Sequence, residues 1–338
     1  MIRETLEYVS QGLDLSEDHA LKVMTDIMNG EWTASQIAGF LMGLKIKGET
    51  VSEISGFVTA MRGKAVTIKS PECVTDTCGT GGDGHHTFNI STASAFVTAA
   101  AGVPVAKHGN RSVSSKCGSA DVLSELGVKI DMLPNDAEKC LDDVGMAFLF
   151  APVYHASMKH AVTPRREMGV RTVFNLLGPM SNPASTRRQV VGTFNMEAAD
   201  KMAKVLGKTG SEHVMVVHSA DGMDEISISD ETHVNEVVNG QVTSYTVSPE
   251  TFGMNIAPLS AVKGGTAVDN ADILQRIFNG ESGPITDITA LNAGAAIYVS
   301  GRTDSFAEGV KLAHELIRTG QAKQKLADLI EYSKSLTN

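Results

Sequence analysis

Cysteine is scarce in this 338-residue sequence. Cys73, Cys78, Cys117 and Cys140 are the whole set, and no two of them form a C-x-x-C pair. That spacing favours reduced, packed thiols of a cytosolic protein over a metal or disulfide framework. Aromatic residues are also thin, at 5%. Glycine and alanine are common, which points to closely packed helices around a core of small side chains. No apolar run reaches the ~18 residues of a membrane span. The N-terminal segment is amphipathic and carries acids, without the pattern of a secretory signal. An excess of positive charge is missing too. The net charge is −10, a poor footprint for nucleic acid. Neither a membrane nor a nucleic-acid partner is expected.

What is present is ordinary for a globular protein: 42% hydrophobic and 20% charged residues, in a length that allows one large domain or two. From Ile2 to about Arg62 the pattern is helical throughout. Thr33 with Gln36 and Thr50 with Glu53 have capping-box spacing, Ser16 opens another helix, and Gly30 and Gly48 stand where helices should stop. Leu21, Met24, Ile27 and Met28 recur at helical spacing and predict a packing face. From about Cys73 the pattern changes to alternating strands and helices, the signature of an α/β fold. A helical stretch interrupts it from about Asn135, the expected cap, to Gln189, with a short apolar strand or turn at Phe148 to Pro152. The alternation resumes at Val190 to Phe194, Glu197 to Leu206 and His213 to His218.

The chain is organised around Asp76 to Thr92. Gly79, Gly81, Gly82 and Gly84 provide a backbone that can take positive φ and turn its amides toward an anion. Asn89, Ser91 and Thr92 stand at the expected start of an apolar helix from Ala93 to Ala101, closed by Gly102. A hydroxyl-capped N-terminus is a phosphate site. The glycines also satisfy G-x-G-x-x-G, but the context is wrong for a dinucleotide. The preceding strand is polar, the helix begins several residues late, and the next strand (Val103 to Ala106) ends in Lys107 instead of an acid. A plain flexible turn would not need Asp83 or the Thr87/Asn89/Ser91/Thr92 series.

One βα unit later a second loop runs from Lys107 to Gly118 and leads into a helix at Ser119 and Asp121. Lys107, Arg111 and Lys116, mixed with Ser112, Ser114 and Ser115, form a cationic cluster in an acidic chain. Such a cluster suits phosphate oxygens. Further on, Asp224 and Glu225 follow a predicted buried strand. Adjacent acids there are costly unless a cation meets them, and a phosphate loop elsewhere needs a counter-ion, so both are expected to hold Mg²⁺. A solvated turn is the plainer alternative. The Arg165–Arg166 pair after Pro164 can grip a carboxylate.

Taken together, four ordered blocks (Gly79 to Thr92, Lys107 to Asp121, His155 to Pro183, His218 to Ser227) resemble the anthranilate phosphoribosyltransferase family over essentially the whole chain. The resemblance implies a small helical domain beside a larger α/β domain, a phosphoribosyltransferase-like fold related to nucleoside phosphorylases. It assigns residues 1–65 and 133–188 to the helical part and 70–132 and 189–338 to the α/β part. It also implies a homodimer acting in the cytoplasm on phosphoribosyl pyrophosphate and anthranilate with Mg²⁺, in tryptophan biosynthesis. Carried over by position, the donor should meet Gly79, Gly82, Asp83, Thr87, Asn89, Ile90, Ser91 and Thr92. Lys107, His108, Gly109, Asn110, Arg111, Ser112, Val113, Ser114, Ser115 and Ser119 should complete that pocket. Gly79, Asn110, His155 and Arg165 should hold anthranilate, and Ser91, Asp224 and Glu225 the metal. The chain departs from the family's usual apolar residues at Thr77 and Cys78, its glycine at Ser219, and its proline at Ala156.

The reaction implied is displacement of pyrophosphate at the anomeric carbon by an aromatic amine, with leaving-group stabilisation and positioning as the main devices. No general acid or base is assigned. His108 is the nearest candidate and reads as a packing or hydrogen-bonding residue. Two other classes compete. A pyrimidine nucleoside phosphorylase has less use for paired magnesium carboxylates, and a nucleic-acid-binding relative of the fold would carry a broad basic surface.

Overall fold

The computed structural model describes residues 2–112 and 116–336. Four helices come first: α1 (Ile2–Ser10), α2 (Glu17–Asn29), α3 (Ala34–Lys47) and α4 (Val51–Lys64). Their ends follow from local chemistry. Ser16 accepts from the His19 N–H, and the Thr33/Gln36 and Thr50/Glu53 boxes are both closed. Gly30 ends α2 in left-handed backbone at φ 81°. Glu53 does more than cap. It is fully buried, accepts from the Leu15 N–H at 2.9 Å, and pairs with the Lys47 ammonium at 2.7 Å, tying the α1–α2 connection to α4.

Among the described residues seven strands form one sheet: β1 (Thr75–Gly79), β2 (Val105–Gly109), β3 (Met146–Phe150), β4 (Arg188–Gly192), β5 (His213–Ser219), β6 (Thr232–Val238) and β7 (Gln241–Val247). The spatial order is β3-β2-β1-β4-β5-β6-β7. The first five in that order are parallel, and β6 and β7 add an antiparallel hairpin. The chain enters at β1, builds outward through β2 and β3, then returns to the other side of β1 with β4 and β5. The order therefore reverses between β1 and β4, where such sheets open a crevice at the carboxyl edge.

The remaining helices in chain order are α5 (Ile90–Ala100), α6 (Ser119–Glu125), α7 (Pro134–Val144), α8 (Ala151–Tyr154), α9 (Lys159–Met168), α10 (Phe174–Leu177), α11 (Met196–Lys208), α12 (Ala267–Phe278), α13 (Pro284–Val299), α14 (Phe306–Arg318) and α15 (Gln321–Ser335). Alternate strand residues divide them between two faces. Val190, Met215 and Val217 join one apolar cluster with α5, α6, α7 and α12 to α15. Val191, Val214 and Val216 join the other with α2, α3, α4, α10 and α11. The small-residue core expected from composition is clearest where α13 meets α14. A Cβ on Gly294 would stand 2.5 Å from the Val310 backbone nitrogen, so the two helices approach at backbone distance.

The sequence-based division of residues 133–188 needs correction. This segment is not a helical insertion throughout. Met146–Phe150 is a parallel edge strand on β2, and α7, β3 and Tyr154 bury their apolar side chains in the sheet-side cluster. The chain crosses to the helical side only afterwards, with Ala161 and the Val173 to Met180 run. A five-residue apolar run between helices is ambiguous until a partner strand exists to accept it. Two boundaries also shift. Strand β2 extends through Lys107 to Gly109, and α7 starts at Pro134 with Leu133 at its cap, ahead of Asn135. Cys73 is exposed, Cys78, Cys117 and Cys140 are buried, and all four are free thiols. Among the described residues no helix is long and apolar enough to cross a membrane.

Candidate active site

The glycine stretch leaves β1 at the point of reversal. Gly79 and Gly192 are register partners at the ends of β1 and β4. Gly81, Gly82 and Gly84 have φ of 65°, 78° and 82°, the left-handed backbone that exposes amides. The loop is pinned at several points. The Gly81 N–H donates to Asp224 Oδ2 at 2.7 Å, and Asp83 accepts from the His85 N–H at 3.1 Å. The Arg171 guanidinium donates to the Gly82 carbonyl and stacks over the Phe194 ring at 4.6 Å. Thr87 bridges to Lys263, and the Phe88 N–H donates to the Val262 carbonyl at 3.1 Å.

The helix after the loop begins earlier than expected, and without a hydroxyl cap. Asn89 occupies the cap position but makes no capping hydrogen bond. Its side chain instead joins Cys117 and Asn270, whose amide donates to Asn89 Oδ1 at 3.1 Å. Ser91 and Thr92 lie inside the first turn. Ile90 and Thr92 are buried, and the Thr92 hydroxyl has no hydrogen-bond partner among the described residues. The first-turn amides are engaged within the protein: the Ile90 N–H donates to the Phe88 carbonyl at 2.7 Å, the Thr92 N–H to the Asn89 carbonyl at 3.1 Å, and the Ser91 N–H to Glu225 Oε1 at 3.2 Å.

Asp224 and Glu225 thus meet the glycine loop and the start of α5 at once. Both residues are half-buried. Burial, then the nearby Asp83 charge, pushes Asp224 up to about 7. Burial and Asp224 push Glu225 well above the usual carboxylate range. Lys107 is also buried. Its ammonium donates to the Thr77 carbonyl at 2.6 Å and the Ser91 hydroxyl at 3.3 Å, and it faces Asp76 and Glu225. Strand β2 turns Lys107 inward, beside the Ser91 hydroxyl and the buried acids it balances. The negative charge still exceeds that one cation. A hard divalent ion fits this donor set of Asp224, Glu225 and the Ser91 hydroxyl. Among the described residues no group of three or more His, Cys, Asp or Glu side chains forms a closed cage. Mg²⁺ needs none, since it typically takes one or two carboxylates and completes its shell with substrate phosphates and water.

The second loop is organised by Asp121, which accepts from the Arg111 guanidinium at 2.8 Å, the Ser112 N–H at 3.0 Å and the Gly118 N–H at 2.9 Å. Ser119 donates to the Asn110 carbonyl at 3.3 Å. Asn110, Arg111 and Lys116 are exposed, whereas Gly109 and Ser112 are half-buried. Val113, Ser114 and Ser115 lie outside the described residues. Behind the loop, the His108 and His155 rings stand 5.1 Å apart. Burial, together with the His155 ring, lowers His108 to about 3, and burial lowers His155 as well. Both rings stay neutral at ordinary pH, so neither serves as a cationic general acid. Arg165, in the last turn of α9, is half-buried, stacks over Phe174 at 5.0 Å, and makes no ion pair among the described residues.

Several site residues were not singled out from the sequence. Asp76 is fully buried, held by the Asn182 amide at 2.7 Å and the His108 N–H at 3.3 Å. Its signal was the polar Thr75–Asp76–Thr77 run in a central strand. Arg171 and Gly192 gave no comparable signal, since their partners are remote in sequence.

The sheet reversal, the glycine loop and the carboxylate pair place the chain in a class of glycosyl-transferring enzymes. The sequence matches the glycosyl transferase family helical bundle domain over residues 3–65 and its a/b domain over residues 71–323. An anthranilate phosphoribosyltransferase of Acetivibrio thermocellus is 49% identical over 99% of this chain and 97% of its own. That of Thioalkalivibrio sulfidiphilus is 50% identical over 99% of both chains. The crystal structure of the Thermus thermophilus anthranilate phosphoribosyltransferase superposes with TM-score 0.93 at 40% identity, covering 98% of this chain and 99% of that one. The Saccharomyces cerevisiae enzyme in complex with PRPP and Mg superposes at 0.88 with 26% identity, covering 99% of each chain. The chain belongs to the anthranilate phosphoribosyltransferase family.

Proposed function

We propose that the chain transfers the phosphoribosyl group of 5-phosphoribosyl 1-pyrophosphate to the amino group of anthranilate and releases pyrophosphate, a step of tryptophan biosynthesis. The observation that carries this reading is the 2.7 Å hydrogen bond from the Gly81 amide to Asp224. It joins an anion-ready glycine loop to an under-neutralised carboxylate pair, and a pyrophosphate donor uses both. A nucleoside phosphorylase, working with inorganic phosphate, has no need of the second part.

In this reading the amides of Gly82 to Gly84, the exposed Arg111 and the half-buried Ser112 receive the diphosphate. Asp83, Thr87, Asn89 and Ser119 border the donor. Ser91, Asp224 and Glu225 hold Mg²⁺, which when bound neutralises charge on the departing pyrophosphate. The yeast relative's complex with PRPP and Mg supports that assignment. The positive end of α5 acts in the same direction. Arg165, lacking an internal ion-pair partner among the described residues, grips the anthranilate carboxylate beside Asn110, Gly79 and the neutral His155. An aromatic amine attacks as the free base, so the chain needs to position it and supply no strong general base. Two copies pair through exposed apolar side chains of the N-terminal segment, Tyr8, Met42 and Ile46 on the helices and Leu13 in the α1–α2 connection. Light scattering at a dimer mass would support that, and a monomer at micromolar concentration would remove it.

Anthranilate fluorescence followed with phosphoribosyl pyrophosphate, with and without Mg²⁺, tests the activity. Loss that requires both donor and metal is expected. No loss from folded protein would overturn the acceptor assignment.

A further inference from the structure

The peptide bond between Glu225 and Ile226 is held at both of its polar ends by side chains that touch no substrate in the reading above. Its carbonyl oxygen accepts from the Ser219 hydroxyl at 2.6 Å, and its N–H donates to Asn292 Oδ1 at 2.9 Å. The Asn292 amide also donates to the Ile226 carbonyl at 2.9 Å, so this one side chain saturates both polar groups of Ile226 as a neighbouring strand would. Asn292 and Ser219 are buried, with 2% and 0% exposure. Ser219 is locked in turn, exchanging a 2.6 Å bond with Thr232 and accepting from the Ser227 N–H at 3.2 Å.

Asn292 sits in the apolar interior of α13, where a polar side chain costs free energy unless all its groups are paired. The same helix abuts α5: the Ser94 hydroxyl donates to the Thr289 carbonyl at 3.3 Å. Helix α13 therefore touches both elements of the carboxylate site, the helix that carries Ser91 in its first turn and the loop that carries Asp224 and Glu225. We infer that Asn292 is a positioning residue for the Asp224–Glu225 pair, acting through the Ile226 peptide, and that Ser219 completes the grip from the other side. This rests on the Mg²⁺ reading given above. The physical reason is geometric. Two adjacent side chains can share one cation only if the backbone between and after them is fixed, and a peptide held at both polar ends on their C-terminal side keeps them aimed at a shared site.

The test uses the full chain with Asn292→Ala and Ser219→Ala, each checked for folding by circular dichroism. Metal binding is titrated with Mn²⁺ and pyrophosphate by electron paramagnetic resonance, alongside KM for anthranilate at saturating Mg²⁺. Outer-shell changes typically cost about 10–100-fold in metal affinity, so Asn292→Ala is expected to weaken Mn²⁺ at least about tenfold. Ser219→Ala, losing one hydrogen bond, is expected to weaken it about threefold. The anthranilate KM should stay within about twofold in both. Folded variants with unchanged Mn²⁺ affinity, or an equal loss in metal affinity and anthranilate KM, would overturn the inference. If Asn292→Ala does not fold, Ser219→Ala decides by the same criteria. An unsubstituted chain that binds no Mn²⁺ would overturn the metal reading itself, and this inference with it.

Discussion

Gly192 is the floor on which Asp224 rests. A Cβ added to Gly192 would overlap the Asp224 backbone carbonyl, while one on its register partner Gly79 would stand 2.7 Å from Asp224 Oδ2. The two glycines at the ends of β1 and β4 thus leave room for one acidic residue of a distant loop. That room lies at the reversal of strand order, where the glycine loop begins.

The two glycines should respond differently to substitution. Gly192→Ala meets backbone that cannot rotate away, and such overpacking costs about 1–3 kcal/mol. It should lower stability in urea and displace the carboxylate loop, reducing Mg²⁺-dependent activity. Gly79→Ala meets only the end of a side chain, so its stability loss should be smaller while activity still falls. Equal stability in Gly192→Ala and the parent would show that the loop can move freely.

Asp224 links metal binding to pH. Its carboxyl titrates at about 7 in the folded chain, against about 3.9 when unfolded. Between those values the native state binds more protons than the unfolded one, so metal-free stability should fall as pH rises from about 4 to about 7. A divalent cation competes with that proton. Mg²⁺ with pyrophosphate should therefore raise Tm more at pH 8 than at pH 5.5, read by thermal melting with and without EDTA. Equal shifts at both pH values would remove Asp224 from the metal site.

Arg165→Ala should raise KM for anthranilate about 10–100-fold, the range of a lost charge-assisted hydrogen bond. KM for the donor should stay within about twofold. A rise in both by the same factor would place Arg165 in general packing, through its stacking on Phe174.

Lys107 should behave as an internal counter-ion. Lys107→Met leaves Asp76 and Glu225 without their shared ammonium, a change that costs about 3–5 kcal/mol when a buried pair is broken. Denaturant unfolding at pH 7.5 would measure it. A variant as stable as the parent, with only KM for the donor altered, would return Lys107 to direct phosphate contact.

Much of the fold is local and was therefore legible. The Thr33/Gln36 and Thr50/Glu53 boxes, the stop at Gly30 and the glycine series from Gly79 to Gly84 each depend on neighbours within a few residues. The order of motifs along the chain pointed to the family as well. What misled was equally physical. Lys107 looked like a loop cation because its burial depends on β2 running past Ala106 to Gly109. Asn89 looked like a helix cap because Cys117 and Asn270, which engage its side chain, lie 28 and 181 residues away.

Sequence by itself therefore determined the class of chemistry: residue types and short spacings carry glycine freedom, anion-binding amides and paired acids. Only the tertiary structure decided which of those groups face one another. Strand order set Gly79 against Gly192, and the Asp224 loop crossed 143 residues of chain to meet Gly81. Burial then shifted Asp224 and neutralised His108. Desolvation and charge–charge contact depend on distance in space, which no spacing along the chain encodes.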